Sequence, residues 1–214
     1  MSPSEGTEDA TPVARTVSSV VPDATALKAL THPVRLRMLG MLRLDGPATA
    51  TQLADRLDLN SGATSYHLRQ LAQHGFIEED DARGSKRDRW WRARHQSTHF
   101  LKDDSTQEQR EAGIAFAQAA LTVQTANAQR AVQEYLELPP EWQETAGSSD
   151  QTLVLTAAQA RALRDRLYDV VREVAEQTPA LGGPRPEGTE LYTVQVQAFP
   201  QPGRITHRDE EAQP

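Results

Sequence analysis

The sequence predicts a mainly α-helical chain with a little β structure, and three features predict it. Apolar residues return every three or four positions over much of 23–74, 106–136 and 156–177, the period of helices with one buried side. The strongest breakers, Gly46-Pro47 and Pro139-Pro140, close such runs rather than interrupt them. Strand-like stretches are short and confined to residues 76–93, 152–155 and 190–200.

Composition narrows the class further. The chain has 214 residues, 23 Lys+Arg against 30 Asp+Glu, and a net charge of -7. One or two modest domains fit that length. Hydrophobic residues make up 37%, enough for a core, but no apolar run approaches the roughly 18 residues that a membrane span needs. With no cysteine, disulfides, thiolate catalysis and Cys-based metal sites are excluded. The opening MSPSEGTEDATP is acidic and has no basic, apolar leader, so a cytoplasmic location is expected.

The charge is unevenly placed. Residues 1–30 carry 2 basic and 4 acidic side chains, 31–95 carry 11 and 8, and 96–214 carry 10 and 18. The net-positive stretch is therefore 31–95, a local basic surface of the kind that nucleic-acid binding requires.

Residues 1–22, rich in Ser, Thr, Pro and Glu, read as a flexible tail, because they bury too little to offset the entropy of ordering. Asp23 can accept hydrogen bonds from the free amides of ATALKAL, which opens a short helix ending at Thr31-His32. Pro33 suits a first helical position and starts a second helix to about Leu44. Leu36, Met38, Leu39 and Leu42 are its expected buried side, and Arg35, Arg37 and Arg43 its polar side. Thr49 caps ATQLADRL, and Asp58-Leu59-Asn60 is a three-residue turn.

A further helix runs Ser61 to His74. Thr64, Leu68, Leu71, Ala72 and Gly75 fall on one side of it, and Gly62, Tyr66, Arg69, Gln70 and Gln73 on the other. Gly75 closes that helix, and residues 76–93 form two strands about a turn at Arg83-Gly84-Ser85. Helix, short turn, helix and basic hairpin together make a winged helix-turn-helix over residues 23–100.

That architecture assigns roles. The second helix of the motif can enter the major groove and offer Ser61, Ser65, Tyr66, Arg69 and Gln70 to base edges and phosphates, with Gly62 permitting close backbone approach. Arg83, Lys86, Arg87 and Arg89 on the hairpin can neutralise backbone phosphates beside it.

The same residues resemble the ArsR-like winged-helix repressors of bacteria. The matching pieces are ALTHPVRLRMLGML at 29–42, TATQLADRLDLNSGATSYHLRQLAQHGFIEED at 49–80 and the wing-like RGSKRDRWWRA. The resemblance implies a homodimer on pseudo-palindromic double-stranded DNA, with groove-facing Ser61, Gly62, Ser65 and Tyr66. Gly62 and Tyr66 depart from the family's more usual polar choices, which leaves the operator open. The family's Cys-x-Cys metal pair has no thiol here, and its alternative Asp and His ligands would lie on 107–136, which holds no histidine. No metal or other cofactor is expected; His95 and His99 read as solvated, and His67 as a packing position.

The second half reads as a long helix followed by a small module. Residues 106–136 form one helix, within a 106–144 segment whose Ile114, Ala117, Leu121, Ala128 and Val132 suit a dimer interface. Residues 151–200 read as strand, helix and strand, an α+β module whose helix opens on the Thr156-x-x-Gln159 capping box. Tyr135, Trp142, Tyr168 and Tyr192 are the candidate lining of an effector pocket there. Residues 201–214 read as a second flexible tail.

The function expected is therefore sequence-specific DNA-binding transcriptional regulation by a repressor without the cysteine metal site, responding to a non-metal effector of unknown identity. The alternative is a winged-helix module that binds protein without reading DNA. No P-loop, Gly-x-Gly-x-x-Gly, His-Glu-x-x-His or Gly-x-Ser-x-Gly pattern occurs, so no enzyme activity is expected.

Overall fold

A computed structural model describes residues 15–83, 88–99 and 105–205. Its first helix, α1 (Ala24–Leu30), begins where the Asp23 carboxylate accepts a hydrogen bond from the Ala26 amide at 2.8 Å. Helix α2 (Pro33–Leu44) follows, and its first turn is capped by His32, whose Nδ1 accepts from the Val34 amide at 3.2 Å. Helix α3 (Ala50–Leu57) opens on a reciprocal cap. The Thr49 hydroxyl accepts from the Gln52 amide at 3.2 Å, and the Thr49 amide donates to the Gln52 side chain at 2.9 Å. Such a pair satisfies two amides that no helical carbonyl can reach.

The turn after α3 is short because Asp58 adopts the left-handed conformation, with φ 53°. Asn60 then accepts from the Ala63 amide at 2.8 Å and starts α4 (Ser61–Gln73). Gly75, at φ +73°, turns the chain out of α4 into a strand, a conformation that a side chain would strain.

Strands β1 (Ser19–Val20), β2 (Ala48–Thr49), β3 (Ile77–Glu79), β4 (Trp90–Ala93) and β5 (Ser97–Thr98) form two small sheets. The larger has the order β2-β4-β3 and is antiparallel, with Trp91 opposite Ala48 on one side and Glu79 on the other. The smaller pairs β1 with β5 in parallel. Helix α5 (Gln107–Glu134) leads through a 3-10 turn (Tyr135–Glu137) to the short α6 (Pro140–Gln143), and α7 (Ala157–Gln177) follows.

One core holds the first half together. Leu27, Leu30, Met38, Leu39, Leu42, Leu53, Leu68, Leu71, Phe76, Ile77 and Trp91 pack in a single buried cluster, which Ala112 and Phe116 of α5 complete. Burying each large apolar side chain contributes about 1.5–3 kcal/mol, so this cluster outweighs every cap and surface ion pair around it. The single buried polar side chain of the described residues, Thr64, donates its hydroxyl to the Asn60 carbonyl at 3.1 Å.

Several expectations change. Residues 15–22, expected within a flexible tail, include β1: Ser18 accepts from the Gln96 and Ser97 amides, and Val20 from the His99 amide. Backbone pairing thus orders a segment that has little apolar side chain to bury. The hairpin gains a third strand, β2, formed by Ala48 and the capping Thr49. Leu36 is half-buried rather than core. Arg43 turns inward, where its guanidinium donates to the His95 carbonyl and the Thr98 hydroxyl, each at 2.8 Å, and burial pushes its pKa down to about 10.

In the second half the expected helix is present as α7, but residues 151–155 and 190–200 form no ladder. Alternation gives a segment two chemically different sides; a strand also needs a partner for its backbone, and neither segment finds one. The expected turn at Gly84-Ser85 lies outside the described residues.

Replacing Leu68 by Ala opens a cavity in the closed core and should cost about 2–5 kcal/mol in urea unfolding. The same change at Leu136, 84% exposed, should stay within about 0.5 kcal/mol.

Candidate nucleic-acid interface

Helix α4 is fixed from its inner side. Thr64, Leu68 and Leu71 are fully buried against the core, so the opposite side has one available direction, toward solvent. Ser61, Gly62, Arg69 and Gln73 are exposed there, Tyr66 is 53% exposed, and Gln70 and Ser65 are half-buried. Gln70 donates to the Gln73 side chain at 3.3 Å, and the Arg69 guanidinium is drawn back to the Ser65 carbonyl at 3.1 Å. A Cβ on Gly62 would meet only the Asn60 side chain, at the ordinary distance of 3.4 Å. The fold therefore does not demand glycine at this position.

A groove of about 520 Å³ runs beside this helix, lined by Thr49, Ala50 and Thr51, by Ser65 and Arg69, and by Asp88, Arg89 and Trp91. The start of α3, the outward side of α4 and the base of the hairpin meet there. Sequence reasoning took Thr49 as a cap and did not place it beside α4. Strand β2 explains the difference, because its pairing with β4 draws the start of α3 against the hairpin.

The hairpin cations are less available than a count suggests. Arg89 lies 3.3 Å from Glu79 and 5.7 Å above the Trp91 ring; Arg83 lies 3.7 Å from Asp80 and 5.9 Å above Trp90. Arg92 and Arg94, which the sequence reading did not single out, both pair with Glu78, at 2.8 and 3.3 Å. Exposed pairs of this kind contribute about 0–1 kcal/mol, so a phosphate can compete for such arginines. Lys86 and Arg87 lie outside the described residues.

A histidine pair joins α4 to the start of α2. The rings of His67 and His32 are 4.5 Å apart, and the His67 Nδ1 is buried with no hydrogen-bond partner among the described residues. Burial lowers both pKa values below the ordinary histidine range, and the nearby Arg35 charge lowers them further. His67 thus packs, as the sequence reading had it. His95 and His99 flank the short strand β5 instead of sharing one turn of helix, so they do not present the facing pair that i,i+4 spacing gives.

Among the residues expected to serve a dimer, Ile114, Leu121, Ala128 and Val132 are exposed and Ala117 is half-buried. Helix α5 uses Ala112, Gly113 and Phe116 to pack on its own domain. Tyr135, Tyr168 and Tyr192 are exposed and Trp142 is half-buried. Tyr192 donates to the Thr145 carbonyl at 2.7 Å, three residues beyond Trp142, but the four rings do not line the groove described above. No helix among the described residues is long and apolar enough to cross a membrane.

Comparison with known proteins agrees with the geometry of the first half. A helix-turn-helix domain family matches residues 30–80, a stretch from the last residue of α1 to just past β3. No curated protein matches the chain significantly. Among solved structures, the chain is similar to a Lactococcus lactis ZitR structure (C30AH42A mutant, apo form), at 13% identity and TM-score 0.31 over 67% of this chain and 83% of that one. It is also similar to disulfide-formed AbfR, at 19% identity and TM-score 0.25 over 50% and 68%. With its hairpin, residues 30–80 give the chain a helix-turn-helix domain with a wing, and the family match supports a DNA-binding transcriptional regulator.

The histidine pair makes stability depend on pH with a definite sign. Its folded-state pKa values are lowered, so the stabilisation is complete above the unfolded-state value of about 6.5 and is lost as pH falls through the lowered folded values. Melting temperature should fall as pH drops below about 6.5, and His67→Phe should make that fall smaller.

Proposed function

We propose that the chain is a homodimeric, ArsR-like transcriptional repressor that reads pseudo-palindromic double-stranded DNA. The carrying observation is that the outward side of α4 stays uncovered by the rest of the described chain while its inner side is locked into the core. Tyr66, Arg69 and Gln70 read base edges, Ser61 and Ser65 add hydrogen bonds, and Gly62 lets the groove approach the backbone. The groove beside Thr49, Arg69 and Arg89 takes a phosphate, where arginines exchange carboxylate partners for DNA. Lys86 and Arg87 complete the wing.

A dimer brings two α4 helices to half-sites about 34–36 Å apart, one turn of DNA. Ile114, Ala117, Leu121, Ala128 and Val132 of α5 supply apolar surface for that pairing. Lacking a cysteine site, the protein answers to a non-metal effector, with Tyr135, Trp142, Tyr168 and Tyr192 as its lining, and acts in the cytoplasm. A second reading, a winged helix that binds protein, draws on the pairing of all four described hairpin arginines with carboxylates. That pairing weakens the field a phosphate backbone would feel.

Electrophoretic shift against the DNA upstream of its own gene separates the two. Retardation that weakens steeply with salt is expected, and Tyr66→Ala or Arg69→Ala should cost about 1–3 kcal/mol of specific binding. Arg89→Ala should lower the salt slope by about one. Gly62→Ala should weaken binding while leaving the melting temperature unchanged or higher, since alanine is the better helix former. No retardation at low salt would overturn the reading.

A further inference from the structure

Helix α7 is a 21-residue amphipathic helix with a complete cap and no buried residue. The Thr156 hydroxyl accepts from the Gln159 amide at 3.2 Å, and the Thr156 amide donates back at 2.9 Å. Yet Leu163, Leu167, Val170 and Val174 remain 37–60% exposed. Most of the stability of a helix in a protein comes from packing its apolar side, so this side calls for a cover. Its far end is held in place: the Arg15 amide donates to the Glu176 carbonyl at 2.9 Å, and the Arg15 guanidinium to the Thr178 carbonyl at 2.8 Å. Beyond it, Gly182 lies so close to Gly46 that a Cβ there would come within 2.7 Å of the Gly46 Cα.

Two patterns on α7 say what covers it. Ala160, Leu163, Leu167, Val170 and Val174 follow one another at steps of three and four, the a/d seam of a two-helix coiled coil. The charges divide about the same centre. Residues 157–166 hold Arg161, Arg164 and Arg166 against Asp165, and residues 167–177 hold Asp169, Glu173 and Glu176 against Arg172. One half is net basic and the other net acidic by equal amounts. Such a helix complements itself when a copy runs antiparallel and opposes itself when parallel. The other long helix, α5, carries no charged residue between Glu111 and Arg130, so its middle has nothing with which to answer this pattern.

We infer that α7 pairs antiparallel with α7 of a second copy of this chain, across a two-fold axis at Leu167. In that register Ala160 faces Val174 of the second copy, Leu163 faces Val170 and Val171, and Arg166 and Glu173 lie along the same edge of the seam, so that their opposite charges attract across it. This deepens the homodimer part of the proposed function by adding a contact away from α5, so the two are tested apart.

The chain has no cysteine, so single cysteines introduced into the full-length protein report the contact directly. Under mild oxidation Leu167→Cys should cross-link to itself. Ala160→Cys alone should not, but a mixture of Ala160→Cys and Val174→Cys should. In sedimentation equilibrium, Leu167→Glu should weaken dimerisation at least about 30-fold, the loss expected of a central contact. Arg166→Glu should weaken it, and adding Glu173→Arg should restore it, which a merely unfolded helix would not do. Self-cross-linking of Ala160→Cys would overturn the antiparallel pairing. A dimer that survives Leu167→Glu but is lost in Leu121→Asp would overturn the inference and leave a homodimer through α5. A wild-type chain that is monomeric at every concentration would overturn both.

Discussion

The burial of one side of α4 is the constraint on which the rest depends. Leu68 and Leu71 reach into the same cluster as Leu39, Leu53 and Phe76, Thr64 is buried on the same side, and a helix so held cannot rotate without exposing them. Close-packed interiors resist such shifts because contacts are lost at once. The outward residues therefore inherit their direction from the core, and any reading of DNA by Tyr66 or Arg69 rests on leucines that never meet it. A partly polar helix start, with Asn60 as cap and Thr64 hydrogen-bonded to its carbonyl, reaches that core without leaving an unpaired hydroxyl.

Around that helix the charges are tempered rather than massed. The described hairpin arginines sit beside Glu78, Glu79 and Asp80, and two of them also lie over tryptophan rings. Exposed ion pairs and cation-π contacts of this kind are individually weak, so they hold the arginines near the groove without committing them. A wing built in this way favours binding that depends on shape and hydrogen bonding as well as on charge. The chain's net charge of -7 points the same way, since a strongly cationic surface would bind nucleic acid regardless of sequence.

The two halves of the molecule differ in how they are held. The first half, with the opening turns of α5, encloses its apolar side chains in one cluster, whereas α7 has a regular apolar side and no buried residue. Capping and periodicity are local properties and formed α7 as they formed α3. Burial is not local, and among the described residues nothing closes over the apolar side of α7. Surface of this regularity is the mark of an interaction site rather than of scattered exposed leucines.

The sequence by itself determined the longer helices and where they start, though not the short α6 or the 3-10 turn after α5. Asp23, Pro33, Thr49, Asp58 and Gly75 act through their own backbone or the next turn, and the structure places each where that chemistry requires. The inward and outward sides of α4 were legible for the same reason, since a helix converts spacing into direction. The tertiary structure alone decided which strands exist. Residues 19–20 became a strand because Gln96, Ser97 and His99 offered amides, and residues 190–200, with the better alternation, did not because no described backbone pairs with theirs. It alone brought the start of α3 against Arg69 and Arg89, and set His32 against His67. A ladder or a groove needs two segments at hydrogen-bonding or contact distance, and a distance between remote segments is not written in the spacing of either one.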